Sequence, residues 1–174
     1  MSILKTAQIQ SLAGARILGS TGGILQVVSN YYSSTFTTTS LTFVDVTGFS
    51  VAITPQSSTN KILILGHIAV GATTSTSTGH KLLCNGVEIY PNTPTENRFS
   101  GWCEFTNNDT NVQRNSPFVF LHSPGTTSTQ TYQLQIKAND AGGTATVNRG
   151  SADTTGNGFS NRTASSITVM EIVA

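Results

Sequence analysis

From residue 24 onward, apolar and polar positions alternate in short runs broken by turn residues. Phe49, Val51 and Ile53 alternate with Ser50, Ala52 and Thr54. Tyr132, Leu134, Ile136 and Ala138 alternate in the same way with Gln133, Gln135 and Lys137. A period of two is the pleat of a strand with one face buried and the other wet. Nowhere does an apolar period of 3.6 persist, and the good helix formers lie scattered. Further strands are predicted over Ile24–Ser29, Thr39–Val46, Phe99–Phe105, Asn115–His122, Thr144–Arg149 and Ser165–Val173.

Two segments break the alternation. Lys61–Val70 is apolar on both faces, with Ile62, Ile64 and Ile68 on one and Leu63, Leu65 and Ala69 on the other. The last strand sets Ile167, Val169 and Val173 beside Glu171, and places Thr168, Met170 and Ile172 on the opposite face. A strand apolar on both sides is covered on both sides. In a sandwich one face meets the other sheet, so the second must meet something else. Copies of the same chain around a symmetry axis would remove that aggregation hazard. The expectation is a homotrimer with the terminal strand near its axis, and with Ile62, Ile64, Ile68, Met170 and Ile172 as interface candidates.

Turn chemistry supplies the punctuation. Asn85-Gly86, between Leu82-Leu83-Cys84 and Val87-Glu88-Ile89, is the signal of a two-residue type I′ hairpin. Pro55 with the following Ser-Ser-Thr-Asn ends one strand, and Asn139-Asp-Ala-Gly-Gly begins the approach to another. Eight to ten short strands, with turns about every ten residues, predict an all-β antiparallel sandwich over residues 24–174. Residues 1–23 read differently. Ile3, Leu4, Ile9, Leu12 and Ile17 give a weak apolar period interrupted by Gly14, Gly19, Gly22 and Gly23. Such a segment cannot bury its own apolar groups. It is therefore a candidate attachment arm to a larger assembly, with a frayed terminus as the plain alternative.

Composition narrows the function. Charged residues are 10% of the chain, against about 25% in ordinary soluble domains. The surface is therefore built from Ser, Thr, Asn, Gln and Gly. With 9 basic and 8 acidic residues and a net charge of +1, there is no field to draw in nucleic acid, which needs clustered Lys and Arg. The apolar runs fall far short of the ~20 residues of a membrane helix, and the first residues lack a signal-peptide core. The expectation is a protein made in a cytoplasm and not inserted in a membrane. Cys84 and Cys103 read as two buried thiols, with a disulfide formed after release as the alternative.

No constellation carries chemistry. His67, His80 and His122 are not at metal-ligand spacings. Gly19-Ser-Thr-Gly22-Gly23 lacks the Lys and the helix of a phosphate loop. A serine-nucleophile elbow is missing. The carboxylates fall mostly at turns, and only Glu96 and Glu104 are worth testing as a glycoside-cleaving pair. The sequons at Asn108 and Asn161 read as chance. Neither an enzyme nor a cofactor is expected. The hydroxyl-rich loops at 71–79, 91–98 and 150–163 are the candidate ligand-facing surface, with Tyr90, Arg98 and Trp102 as candidates for hydrogen bonding to a host glycan.

Four stretches carry a family resemblance. They are Ser2-Ile-Leu-Lys-Thr-Ala-Gln-Ile-Gln-Ser, Gly23-Ile-Leu-Gln-Val-Val, Phe43-Val-Asp-Val-Thr-Gly-Phe-Ser-Val-Ala-Ile-Thr-Pro with Ser58-Thr-Asn-Lys-Ile-Leu-Ile, and Ser165-Ser-Ile-Thr-Val-Met-Glu-Ile. Together they resemble small virion surface proteins of tailed bacteriophages, of the cyanophage and marine-phage type. The resemblance implies a trimeric jelly-roll, akin to tumour necrosis factor and complement heads, on the exterior of a virion. Its partners would be its own copies, other virion proteins through the arm, and a host surface glycan. A tail-fibre or receptor-binding role leads, with capsid decoration as the alternative and a glycan depolymerase as a distant third.

Overall fold

The alternating runs become strands of two antiparallel sheets in the computed structural model, which describes residues 22–89, 101, 103–106, 108–156 and 160–174. The strands are β1 (Ile24–Tyr32), β2 (Phe36–Thr38), β3 (Val44–Ile53), β4 (Lys61–Ala72), β5 (Ser77–Cys84), β6 (Val87–Glu88), β7 (Cys103–Thr106), β8 (Arg114–His122), β9 (Gln130–Ala138), β10 (Ala145–Val147) and β11 (Ser165–Ile172). Among the described residues there is no helix. The all-β antiparallel sandwich is as the alternation predicts.

In the first sheet β4 pairs with β8 on one edge, and with β11 and then β10 on the other. Beyond these, β1 pairs with β11 and β2 with β10. The second sheet runs β3, β9, β5, with β6 and β7 both paired to β5. Taking the eight long passes of the chain in order, the first sheet holds the first, eighth, third and sixth. The second holds the second, seventh, fourth and fifth. Strands that alternate between sheets in this order form a jelly-roll of two interlocked Greek keys.

Side chains that face between the sheets make the core. Ile62, Ile64, Ile68, Ile167 and Val169 of the first sheet meet Phe49, Leu82, Tyr132, Leu134 and Ile136 of the second, all essentially inaccessible. Tyr32 stacks on Phe49 with ring centroids 5.1 Å apart. This placement corrects one expectation. Ile62, Ile64 and Ile68 cannot line an interface between copies, because they fill the space between the protomer's own sheets. The outward positions of β4 are Leu63, Leu65 and His67, each half-buried. Both faces of this strand are apolar, so the pattern showed that both are covered without showing which one meets the other sheet.

Local chemistry explains the rest of the outline. Asn85 and Gly86 take left-handed backbone angles (φ 49° and 82°), as a type I′ turn demands. The separate strands expected at Thr39–Val46 and after Gly48 are one strand, β3, which is bulged. From Asp45 to Ser50 its partner β9 advances only from Gln135 to Gln133, and Gly48 sits at φ 83° within the bulge. Pro117 lies outward on β8, opposite His67 of β4. Gly66 faces inward beneath Phe118. A Cβ there would meet the Ser166 carbonyl and come within 2.8 Å of the Phe118 ring.

The sandwich has two distinct ends. Gly22 N donates to Val173 O (2.7 Å) and Val173 N donates to Gly23 O (3.0 Å), so the chain enters and finishes side by side. The 54–60 loop, the Asn85-Gly86 turn and the 123–129 loop lie at that end. Segments 33–43, 73–76, 108–113, 139–144 and the described parts of 148–164 lie at the other.

Candidate functional site

The outward face of the first sheet follows from strand register. Val27 stands opposite Met170, Met170 opposite Leu63, and Leu63 opposite Leu121. One pleat further up, Ser29, Thr168, Leu65 and Val119 form the next row across β1, β11, β4 and β8. Above them run Tyr31, Ser166, His67 and Pro117. Below, Ile24 and Ile172 lead to Lys61. Cross-strand neighbours of this kind lie close enough to form a continuous surface. Val27 is 53% exposed and Val119 64%, while Leu63, Leu65, Met170 and Ile172 are half-buried by their neighbours. Lys61 is the single charged residue in these rows. Apolar side chains scattered over a surface are ordinary, whereas contiguous rows of them mark an interaction site.

Of the interface candidates, Met170 and Ile172 lie on this outward face, where the outward positions of β4 are Leu63 and Leu65 and not the three isoleucines. Val27, Val119 and Leu121 belong to the same surface. Sequence reasoning passed over them as members of ordinary strands, although Val119 and Leu121 alternate visibly with Phe118 and Phe120. His67 lies at the upper part of this face, its Nε2 3.0 Å from Ala164 O and its Nδ1 3.3 Å from Ser166 Oγ.

At the entering end, Glu171 points inward and is wholly inaccessible. Its carboxylate accepts from Gln26 Nε2 (2.6 Å), Asn60 Nδ2 (2.6 Å) and the backbone N of Gln56 (2.7 Å). Burial works to raise its pKa, but the hydrogen bonds from Asn60, Gln26 and the Gln56 and Ser57 backbone outweigh it and hold the group below the ordinary glutamate value. The carboxylate thus ties β1, β11 and the 54–60 loop together beside the chain's entry. Nearby, Cys84 is free and buried, with Sγ donating to Gln130 Oε1 at 3.2 Å. Burial raises its pKa, which favours the protonated thiol. The Tyr132 hydroxyl meets His122 Nδ1 at 2.9 Å, and His80 is so deeply buried that its pKa is pushed down to about 3.

At the opposite end polar side chains cross-brace the loops. Asn148, held at φ 60°, donates through Nδ2 to the carbonyls of Tyr32 and Ser34 (both 2.8 Å) and accepts from Ser165 Oγ (2.6 Å). Asp153 accepts from Arg162 through Nε (2.8 Å) and Nη2 (2.6 Å), and pairs with Arg149 Nη1 at 3.1 Å. Hydrogen bonds from Arg162 outweigh desolvation there, with the charges of Arg162 and Arg149 adding, and hold the Asp153 carboxyl below its usual value. A cleft of about 300 Å³ opens beside this trio, lined by Asp153, Thr154, Thr155, Gly156, Ser160 and Arg162.

The arm candidates Ile3, Leu4, Ile9, Leu12 and Ile17, the loop candidates Tyr90, Arg98 and Trp102, and Glu96 lie outside the described residues. The side chains of Cys103 and Glu104 do so too. Among the described residues no group of three or more His, Cys, Asp or Glu could hold a metal ion, and no helix is long and apolar enough to cross a membrane.

No protein-family model matches the chain, and no curated protein matches it. Solved structures of viral particles show a distant likeness. The Gx strain of infectious bursal disease virus aligns at 13% identity and a TM-score of 0.45, over 86% of this chain and 37% of that one. The Gt strain gives 13% and 0.46, over 89% and 39%. T=1 particles derived from the same virus give 12% and 0.42, over 86% and 36%. The chain spans less than two fifths of each of those chains. Likeness this distant carries no property across, and the strand order itself defines the fold.

Proposed function

We propose that this chain is a virion surface protein that works as a homotrimer, joined to the particle through residues 1–23 and presenting its opposite end outward. One observation carries the reading: a nearly uncharged apolar face, four strands wide, along the side of a sandwich whose two ends differ. A face without charges can pack against copies of itself without stripping water from ions. Packing along the side of the sandwich around a three-fold axis puts all three chain entries at one end and all three of the other loop clusters at the opposite end. That is the geometry of a module mounted at its base. The resemblance of the four sequence stretches to phage surface proteins supports the same assignment.

The reading is of a structural and binding module with no reaction of its own. A tail-fibre or receptor-binding place is the leading version, and capsid decoration is its alternative. Quantified gels of purified particles separate them, since a copy number of a few tens at most fits a fibre and hundreds fit decoration. Purified protein that sediments as a monomer at micromolar concentration would overturn the trimer. Release of sugar fragments from host glycans by the purified protein would overturn the non-catalytic assignment.

A further inference from the structure

We propose that the cleft beside Asp153 binds a sugar that carries a carboxylate. The inference rests on the reading of this end as the displayed one. Its lining is Asp153, Thr154, Thr155, Gly156, Ser160 and Arg162. Its described side chains end in three hydroxyls, a carboxylate and a guanidinium, and a ligand set among them is held chiefly by hydrogen bonds. That selects a polyhydroxylated molecule. At about 300 Å³ the space is at the small end for ligand clefts and suits a sugar ring rather than an extended chain.

Charge selects the acid. Arg149 and Arg162 face one carboxylate, Asp153, so the trio carries one net positive charge. Arg149 is engaged through both terminal nitrogens, with Nη1 on Asp153 and Nη2 donating to Thr37 Oγ1 at 2.8 Å. Arg162 spends Nε and Nη2 on Asp153, which leaves Nη1 without a partner among the described residues on a side chain 60% exposed. A guanidinium edge held flat by a neighbouring carboxylate is set to receive a second one.

The groups are also fixed in advance. Ser160 Oγ donates to Asn111 Oδ1 and accepts from Thr154 N, both at 3.2 Å. The backbones of Arg149 and Arg162 form a β-bridge that sets the spacing of the two guanidiniums. Side chains already ordered by one another cost a ligand little further entropy. The Thr155 hydroxyl has no partner among the described residues and is free for a sugar hydroxyl.

The test is a titration of the isotope-labelled full-length protein with methyl β-D-glucuronide, methyl β-D-glucoside and acetate, followed by amide chemical shifts. The glucuronide should saturate with a dissociation constant on the order of 1 mM, as expected for a ligand of its size. Its shifts should centre on Thr154, Thr155, Gly156 and Ser160. The neutral glucoside and acetate should each bind about tenfold or more weakly, the value of one charge-assisted hydrogen bond. Arg162→Ala should abolish binding. Thr155→Val, which breaks no hydrogen bond within the described part of the protein, should weaken it several-fold with the spectrum otherwise unchanged.

Equal binding of glucoside and glucuronide overturns the acid assignment. Saturation with shifts centred elsewhere overturns the location, and no saturation well above the expected constant overturns the site. The cleft lies within one chain, so a negative result leaves the association state and particle location intact. A monomeric protein, in turn, would leave the cleft intact.

Discussion

A lysine at position 119 separates the stability of the protomer from that of the assembly. Val119 projects outward from β8 and is 64% exposed, so within a single chain Val119→Lys is a surface change, within about 0.5 kcal/mol of neutral. In a trimer packed on the outward face the same position is buried. Each copy then forgoes about 1–2 kcal/mol of apolar burial, from the exposed two thirds of a side chain worth about 1.5–3 kcal/mol. It also places an unpaired ammonium at an apolar contact, for several kcal/mol more. Over three copies the loss is on the order of 10 kcal/mol, about seven decades in the association constant. Sedimentation velocity across the micromolar range, beside a denaturant melt of the dissociated protein, reads both quantities. Val119→Lys should sediment as a folded monomer. Gln133→Lys, on the outward face of the other sheet, should sediment like the parent protein. An unchanged trimer in Val119→Lys would refute the placement of the interface, and a monomeric parent would refute the interface altogether.

Two further outcomes follow from buried polar groups. Glu171 is ionised in the folded state and its pKa is depressed there. Its stabilisation is therefore fully present above the unfolded glutamate value of about 4.3 and is lost as pH falls through the lower folded value. Thermal melts should hold steady from about pH 5 to 7 and drop below about pH 4. Glu171→Gln should lower stability at pH 7 by about 2–3 kcal/mol, because an amide turns a donor toward donors, and should flatten the acid limb. A melt of the variant that keeps the parent's acid limb would remove Glu171 from this role. Asn148→Ala leaves the carbonyls of Tyr32 and Ser34 and the Ser165 hydroxyl short of a partner and keeps a left-handed backbone. It should cost about 3 kcal/mol or more in urea unfolding. Asn148→Gly, which relieves only the backbone, should recover part of that loss. Equal stability of the two variants would show that backbone geometry contributes nothing.

Much of the fold was legible because the period of two is a local signal. The inward positions Tyr132, Leu134, Ile136 and Ala138 on β9, and the Asn85-Gly86 turn, follow from residue type and spacing alone. The short strand β2 was not legible, since three residues, Phe36-Thr-Thr, show no alternation and acquire a partner only when β10 arrives from more than a hundred residues away. The join of Val44–Ile53 into one strand was hidden by Gly48, which ends a strand in most sequences and here serves a bulge. The polar cleft was legible only as a loop. Arg149 and Asp153 are near neighbours in the chain, but Arg162 reaches them because a β-bridge folds the loop back.

The chain by itself determined that strands would form along most of its length, and that more apolar surface exists than one sandwich can hide. Those are properties of residue type and of a two-residue period, which operate within a few residues. Which face of β4 turns inward was a different matter. Isoleucine and leucine are alike in hydrophobicity, so only the pairing of β4 between β8 and β11, with the second sheet lying across it, put Ile62, Ile64 and Ile68 in the core and Leu63 and Leu65 outside. The same pairing lined Val27, Met170, Leu63 and Leu121 into one row from four distant parts of the sequence, and that row exists only once the strands are in register.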